Sequence, residues 1–137
     1  EYAALSYMQA LCIKTGKPCL YLHTKGAYNK PMRSYSIRQM WRHEFGYRRD
    51  VYQNLVNIQF PTVVCQFTGA DRLTRYNGFI ANKAAMEAIP TIMPSEDRFI
   101  YEQLFRDHEE VNIIGSIYYD IETSNIRKAH EYLQKYY

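Results

Sequence analysis

Cysteine is scarce in this chain. The three residues present, Cys12, Cys19 and Cys65, are an odd number at irregular spacing. That excludes a disulfide framework and points to reduced thiols in a cytoplasmic protein. Long hydrophobic runs are also missing: stretches such as Ile113 to Tyr119 fall far short of the roughly 20 residues that cross a bilayer. No basic start followed by an apolar stretch marks a signal peptide. Metal-ligand spacing is lacking as well. Cys19 and His23 stand at opposite ends of a strand-like segment, and Cys65 and His43 have no partner at a recognisable distance, which argues against a structural zinc site.

What is present suffices for a folded domain. The chain has 137 residues, 47% apolar and 23% charged, enough to fill one core without staples. It contains no internal repeat, low-complexity segment or linker, so residues 1–137 read as a single α/β domain. The chain opens at Glu1 inside a helix-like pattern, which predicts a piece of a longer protein. Fourteen tyrosines are the compositional excess. A ring with a polar tip suits half-buried packing and stacking on sugars or bases equally well. The net charge of +3 is unevenly spread. Residues 1–50 hold nine Lys and Arg against three Asp and Glu, while residues 51–137 hold eight against eleven. A basic first half favours an anionic ligand if its charges share a face.

Periodicity sets the expected elements. Leu5, Met8, Leu11 and Cys12 define an amphipathic helix over 2–15, stopped by Gly16 and Pro18. Cys19 to Leu22 reads as a short buried strand running into a polar turn at Gly26. Ser34 is placed to cap a long helix over 34–57, whose buried stripe is Ile37, Trp41, Phe45, Tyr52 and Leu55/Val56. Pro61 to Phe67 is a strand rich in β-branched residues. A short extended piece over 76–81 leads into a helix over 82–89 that Pro90 ends. Ser95 reads as the N-cap of a helix through Asp107, with Phe99, Ile100, Leu104 and Phe105 as its apolar members. Val111 to Tyr119 reads as a strand, and 124–136 as a final helix.

Four constellations carry chemistry. In an open α/β sheet ligands gather at the carboxyl ends of strands, which puts His23, Thr24 and Lys25 where a phosphate or sugar hydroxyl would sit. A strand followed by a polar turn is the plainer alternative. Arg38, Arg42 and Arg49 share a helix face that can hold a pyrophosphate by paired hydrogen bonds; such arginines also serve as a solvated face, with Glu44 and Arg48 as a local pair. Asp120 and Glu122 can grip a divalent cation together with a nucleotide diphosphate, or simply precede a helix start. Glu96, Asp97 and Glu102 supply carboxylates, one of which can take a proton from an acceptor hydroxyl, although Glu96 and Asp97 also suit a helix first turn. Aromatics interleaved with arginines raise nucleic-acid binding, but a sequence pI of about 8.7 is low for a dedicated binder.

Leu20 to Ala27 with its His-Thr-Lys-Gly, Met40-Trp-Arg42 in a long helix and Tyr76-Asn-Gly-Phe-Ile-Ala81 occur in that order. Together they resemble bacterial glycosyltransferase-like proteins of surface polysaccharide synthesis, which have a nucleotide-diphospho-sugar transferase (GT-A-like) fold. The resemblance spans about residues 19–105. It implies a Rossmann-like sheet flanked by helices, of which this chain is the C-terminal portion. It also implies that His23, Thr24, Lys25, Arg38 and Arg42 bind the donor side, that Tyr76, Asn77 and Phe79 face the acceptor, and that Glu102 or Asp97 is the catalytic base. The implied partners are a nucleotide-sugar donor and a glycan acceptor, with Mn2+ or Mg2+ accompanying the donor. No specific nucleic acid and no transmembrane segment belong to this picture, and peripheral membrane association stays open. The chain departs from the family pattern in its Asn77-Gly78 order, in Ile80 where a tryptophan is usual, and in lacking an Asp-x-Asp motif before the long helix. A non-catalytic glycan- or protein-binding α/β module is the alternative.

Overall fold

The computed structural model describes residues 2–22, 49–68, 71–74, 78–97 and 99–118. In chain order these form α1 (Tyr2–Thr15), β1 (Cys19–Leu22), α2 (Arg49–Asn57), β2 (Thr62–Thr68), β3 (Gly78–Ala81), α3 (Lys83–Ala88), a single 3-10 turn (Ile100–Glu102) and β4 (Asn112–Tyr118). The expected final helix over 124–136, and the expected long helix before Arg49, lie outside the described residues.

The four strands make one mixed sheet in the order β1-β3-β2-β4. β1 and β2 both pair antiparallel with β3, and β4 lies parallel to β2. Three strands therefore run the same way, and β3 runs against them. Leu22 pairs with Gly78, and Thr68 with Tyr118. β1, β2 and β4 thus all end at the edge of the sheet where β3 begins. The fold is mixed α/β, as the sequence pattern implies.

Register decides which face carries the core, because side chains alternate along a strand. Cys19 and Tyr21 of β1 stand opposite Ala81 and Phe79 of β3, which in turn stand opposite Val63 and Cys65 of β2. This face packs against Leu5, Met8 and Cys12 of α1 and Ala85 and Met86 of α3. Each large side chain buried in this way contributes about 1.5–3 kcal/mol. Phe79 is fully buried, with Tyr21 at 5.7 Å between ring centroids on one side and Phe105 edge-on at 5.2 Å on the other. The opposite face carries an apolar row from Leu20 through Ile80 and Val64 to Ile114. Its middle is covered, with Ile80 1% exposed, whereas Leu20 and Ile114 at the two outer strands are 42% and 45% exposed.

α1 ends as its sequence requires. Gly16 adopts φ +70°, and its N–H closes the last turn on Cys12 O at 2.9 Å. Only a residue without Cβ takes that conformation at no steric cost. α1 is bound to the core by a polar residue as well as by its apolar stripe. Gln9 shares the inward phase of Leu5, Met8 and Cys12 and is buried. Its Nε2 donates to Met86 O (3.1 Å) and Pro90 O (3.0 Å), and its Oε1 accepts from Ile92 N (3.0 Å). Leu11, expected inward, is exposed.

Asn82 joins more elements than any other described side chain. Its Oδ1 caps α3 by accepting from Ala85 N at 2.9 Å and also accepts from Thr62 N at 3.0 Å, at the start of β2. Its Nδ2 donates to Ile58 O (3.0 Å) and Phe60 O (2.8 Å) in the connection from α2. Its own N–H reaches Thr62 O at 3.1 Å. Four elements or connections meet at one amide, and every hydrogen-bonding position on that side chain is used. α3 stops at Ala88, where Ile89 turns extended (φ −96°, ψ 152°) ahead of Pro90, as a residue before proline does.

The stretch 95–107 differs from the expected α-helix. It is a run of tight turns around the 3-10 segment, with Glu102 N bonded to Phe99 O, Gln103 N to Ile100 O and Arg106 N to Gln103 O. Two captures explain this. Asp97 N donates to Ser95 Oγ (3.1 Å) and Phe99 N to Asp97 Oδ1 (2.8 Å), which diverts the first donors into local side-chain turns. Glu102 O, which would accept from Arg106 N in such a helix, is taken by Thr74, and Arg72 holds Arg106 O at the end of the segment. The buried phase shifts accordingly: Tyr101 and Phe105 face the core, and Phe99 and Ile100 are 51% and 42% exposed.

The Asn82 junction yields a stability prediction. Asn82→Ala strands two buried N–H groups and two carbonyls and should lower stability by about 2–4 kcal/mol. Asn82→Asp keeps the cap acceptor but loses both donors, and should also destabilise clearly. Urea denaturation followed by circular dichroism measures both; a change below about 0.5 kcal/mol, the scale of an ordinary surface substitution, would contradict this role.

Candidate functional site

The carboxyl edge of β1, β2 and β4 is where an α/β sheet offers a ligand the ends of several strands at once. His23, Thr24 and Lys25 follow Leu22, the last residue of β1, directly in the chain, and Tyr76 and Asn77 immediately precede β3. These five residues lie outside the described residues, as do Arg38, Arg42, Trp41, Asp120 and Glu122.

Of the residues that the resemblance assigns to the site, three are described. Phe79 is the second residue of β3 and wholly inside the core, so its ring packs on Tyr21 and Phe105. Asp97 is exposed, with Oδ1 accepting from Phe99 N at 2.8 Å, which makes it a turn-forming carboxylate. Glu102 is half-buried in the last position of the 3-10 turn. Its carbonyl accepts from both Thr74 N (3.0 Å) and Thr74 Oγ1 (3.3 Å). Thr74 itself is buried in the connection from β2 to β3. Glu102 is thereby fixed to the loop that leaves the sheet at the end of β2 and returns at the start of β3.

Arg72 holds the rest of this segment in place. Its Nη2 donates to His108 O (2.9 Å) and Val111 O (2.7 Å), and its Nε to Arg106 O (3.3 Å). A guanidinium fork suits such convergent carbonyls, and a lysine would not reproduce it. Arg72 adopts φ 57°, a conformation costly for a residue with a side chain. Its three hydrogen bonds offset that cost. The sequence gives no sign of this clamp, because its partners lie 34 to 39 positions further on.

Outside that loop, a shallow groove of about 500 Å3 runs between α1 and α3. Gln9, Lys14, Met86, Glu87 and Thr91 line it, and none of the sequence-predicted site residues does. Both N–H groups of the Gln9 amide are already donated, its Oε1 accepts from Ile92 N, and Glu87 pairs with Lys83 at 2.6 Å.

The thiols are the groups whose acidity moves. Burial pushes Cys12 and Cys65 up to about 12, from 9.0 for a free thiol, and burial also raises Cys19. All three are free. Among the described residues no three His, Cys, Asp or Glu side chains cluster as metal ligands would. Among them, too, no helix is long and apolar enough to cross a membrane.

The class these observations define is a mixed α/β domain with a four-stranded mixed sheet. No family model, curated protein or solved structure matches the chain.

Arg72→Lys keeps the charge and loses the fork. It should lower stability by about 1–3 kcal/mol and speed amide exchange at Thr74, whose N–H binds Glu102 O. Unchanged exchange at Thr74 would show that the clamp does not hold the Glu102 segment.

Proposed function

We propose that this chain belongs to a glycosyltransferase that moves a sugar from a nucleotide-diphospho-sugar donor to a surface glycan acceptor. One observation carries the reading. His23-Thr24-Lys25 follows directly on one of three strands that end together, and Tyr76-Asn77 directly precedes the strand that begins at the same edge. The resemblance in sequence supplies the chemistry, and the convergence of strand ends supplies a place for it.

In this reaction the acceptor hydroxyl oxygen bonds to the anomeric carbon, and the bond from that carbon to the β-phosphate oxygen breaks. The nucleoside diphosphate leaves, stabilised by Lys25 and Arg42. The hydroxyl proton passes to a carboxylate. Glu102, half-buried on the segment that Thr74 holds, or Asp97 takes that role. His23 and Thr24 contact the donor. Asp120 and Glu122 are the residues available to a Mg2+ or Mn2+ ion, and no step is routed through one. Such chemistry draws on a cytoplasmic donor and fits a protein with free thiols.

A non-catalytic glycan- or protein-binding module is the second reading. It is favoured by the burial of Phe79, which removes one expected acceptor-side ring from the surface.

Calorimetry with a panel of nucleotide-diphospho-sugars, with and without manganese, separates the two. The transferase reading predicts binding of at least one donor, lost in Lys25→Ala and retained in Glu102→Gln. Glu102→Gln should then lower turnover by about 10²–10⁴-fold, as removal of a general base does. Binding of no donor under either condition would overturn it.

A further inference from the structure

Two of the three cysteines meet where α1 ends and β1 begins. Cys12 Sγ donates to Lys17 O at 3.1 Å, and Cys19 Sγ lies 3.7 Å from the same oxygen. Each has a second contact: Cys12 Sγ with Ala81 O at 3.8 Å, and Cys19 Sγ with Met8 O at 3.6 Å, one helical turn before Cys12. Both thiols thus converge on one carbonyl oxygen, that of Lys17. Gly16, in its left-handed conformation, fixes the short turn that brings them together.

The pair is unequal in a way that assigns roles. Cys12 is fully buried, whereas Cys19 is only half-buried and open to a small oxidant. Burial pushes both thiols up, Cys12 to about 12, so access is what separates them. Thiolate character and access together determine which cysteine oxidises first. Cys65 is fully buried in the sheet and lacks access.

We infer that Cys12 and Cys19 are a peroxide-responsive pair, in which Cys19 is oxidised first and Cys12 resolves it to an intramolecular disulfide. The Cys19 thiolate sulfur attacks one oxygen of hydrogen peroxide and becomes a sulfenic acid as the O–O bond breaks; the other oxygen leaves as hydroxide, which takes up the proton the Cys19 thiol had released and becomes water. Cys12 then gives up its proton and bonds to the Cys19 sulfur. The S–O bond breaks, and the departing hydroxide takes the proton as a second water. Two thiols lose two electrons and one peroxide gains them. The new bond ties the last turns of α1 to β1, the strand that leads directly into His23-Thr24-Lys25. A thiol reductant reverses it.

Peptide mapping under non-reducing conditions, after peroxide treatment and denaturing alkylation, tests the inference on the whole chain. The expected result is a Cys12–Cys19 cross-linked peptide and an intact mass lower by two hydrogens, both reversed by dithiothreitol. Cys19→Ser should abolish the cross-link, and Cys65→Ser should leave it intact. Cys12→Ser should leave a sulfenic acid on Cys19 that dimedone traps. Should Cys12→Ser fail to fold, the wild-type map decides alone. Passage of Cys19 to sulfinic acid without a link to Cys12, a cross-link to Cys65, or inertness of both thiols at peroxide levels that oxidise the unfolded chain would overturn it.

Discussion

One buried amide holds the sheet, a helix start and a loop in a single arrangement. Asn82 follows β3, caps α3, accepts from the first residue of β2 and donates to two carbonyls of the connection that precedes β2. A buried amide of this kind has no neutral position to slip to. Moving β3 by one residue would carry Phe79 and Ala81 off the core face and would leave four polar groups unpaired in the interior.

That constraint sets where the strand ends meet. With β3 fixed antiparallel between β1 and β2, and with Asn112 N drawn onto Pro61 O at 2.8 Å to start β4 beside β2, three strand ends coincide at one edge. The loop between β2 and β3 then reaches across to 100–111 through Thr74 and Arg72. A half-buried carboxylate, Glu102, is carried on the segment this loop holds. Among the described residues, this loop and the 100–111 segment are joined by hydrogen bonds from two side chains and a main-chain N–H to carbonyl oxygens.

Local signals in the sequence were enough for α1, Gly16, β1, β2, β4 and the stop before Pro90, because each depends on neighbours within about one or two turns. The helix expected over 95–107 was not legible, since the groups that prevent it, Arg72 and Thr74, are distant in sequence and compete for its carbonyls. The antiparallel course of β3 was equally hidden; a strand of four residues carries no direction in its pattern. Gln9 had a readable sign that the helical reading passed over, namely a polar residue in the inward phase of Leu5, Met8 and Cys12. For the candidate site, the sequence placed Phe79 by its motif alone, and burial between Tyr21 and Phe105 shows its ring in the core. The Glu102 carboxylate was legible as a type of residue, but its attachment to Thr74 was not.

Native-state hydrogen exchange tests the central claim most directly. If Asn82 fixes the register, the amides of Thr62, Asn82 and Ala85 open only with the whole molecule, at the global free energy of unfolding, and together with the sheet amide of Ile80. Exchange of Thr62 and Ala85 through local openings far below the global value, while Ile80 stays protected, would show that the sheet holds its register without the Asn82 junction.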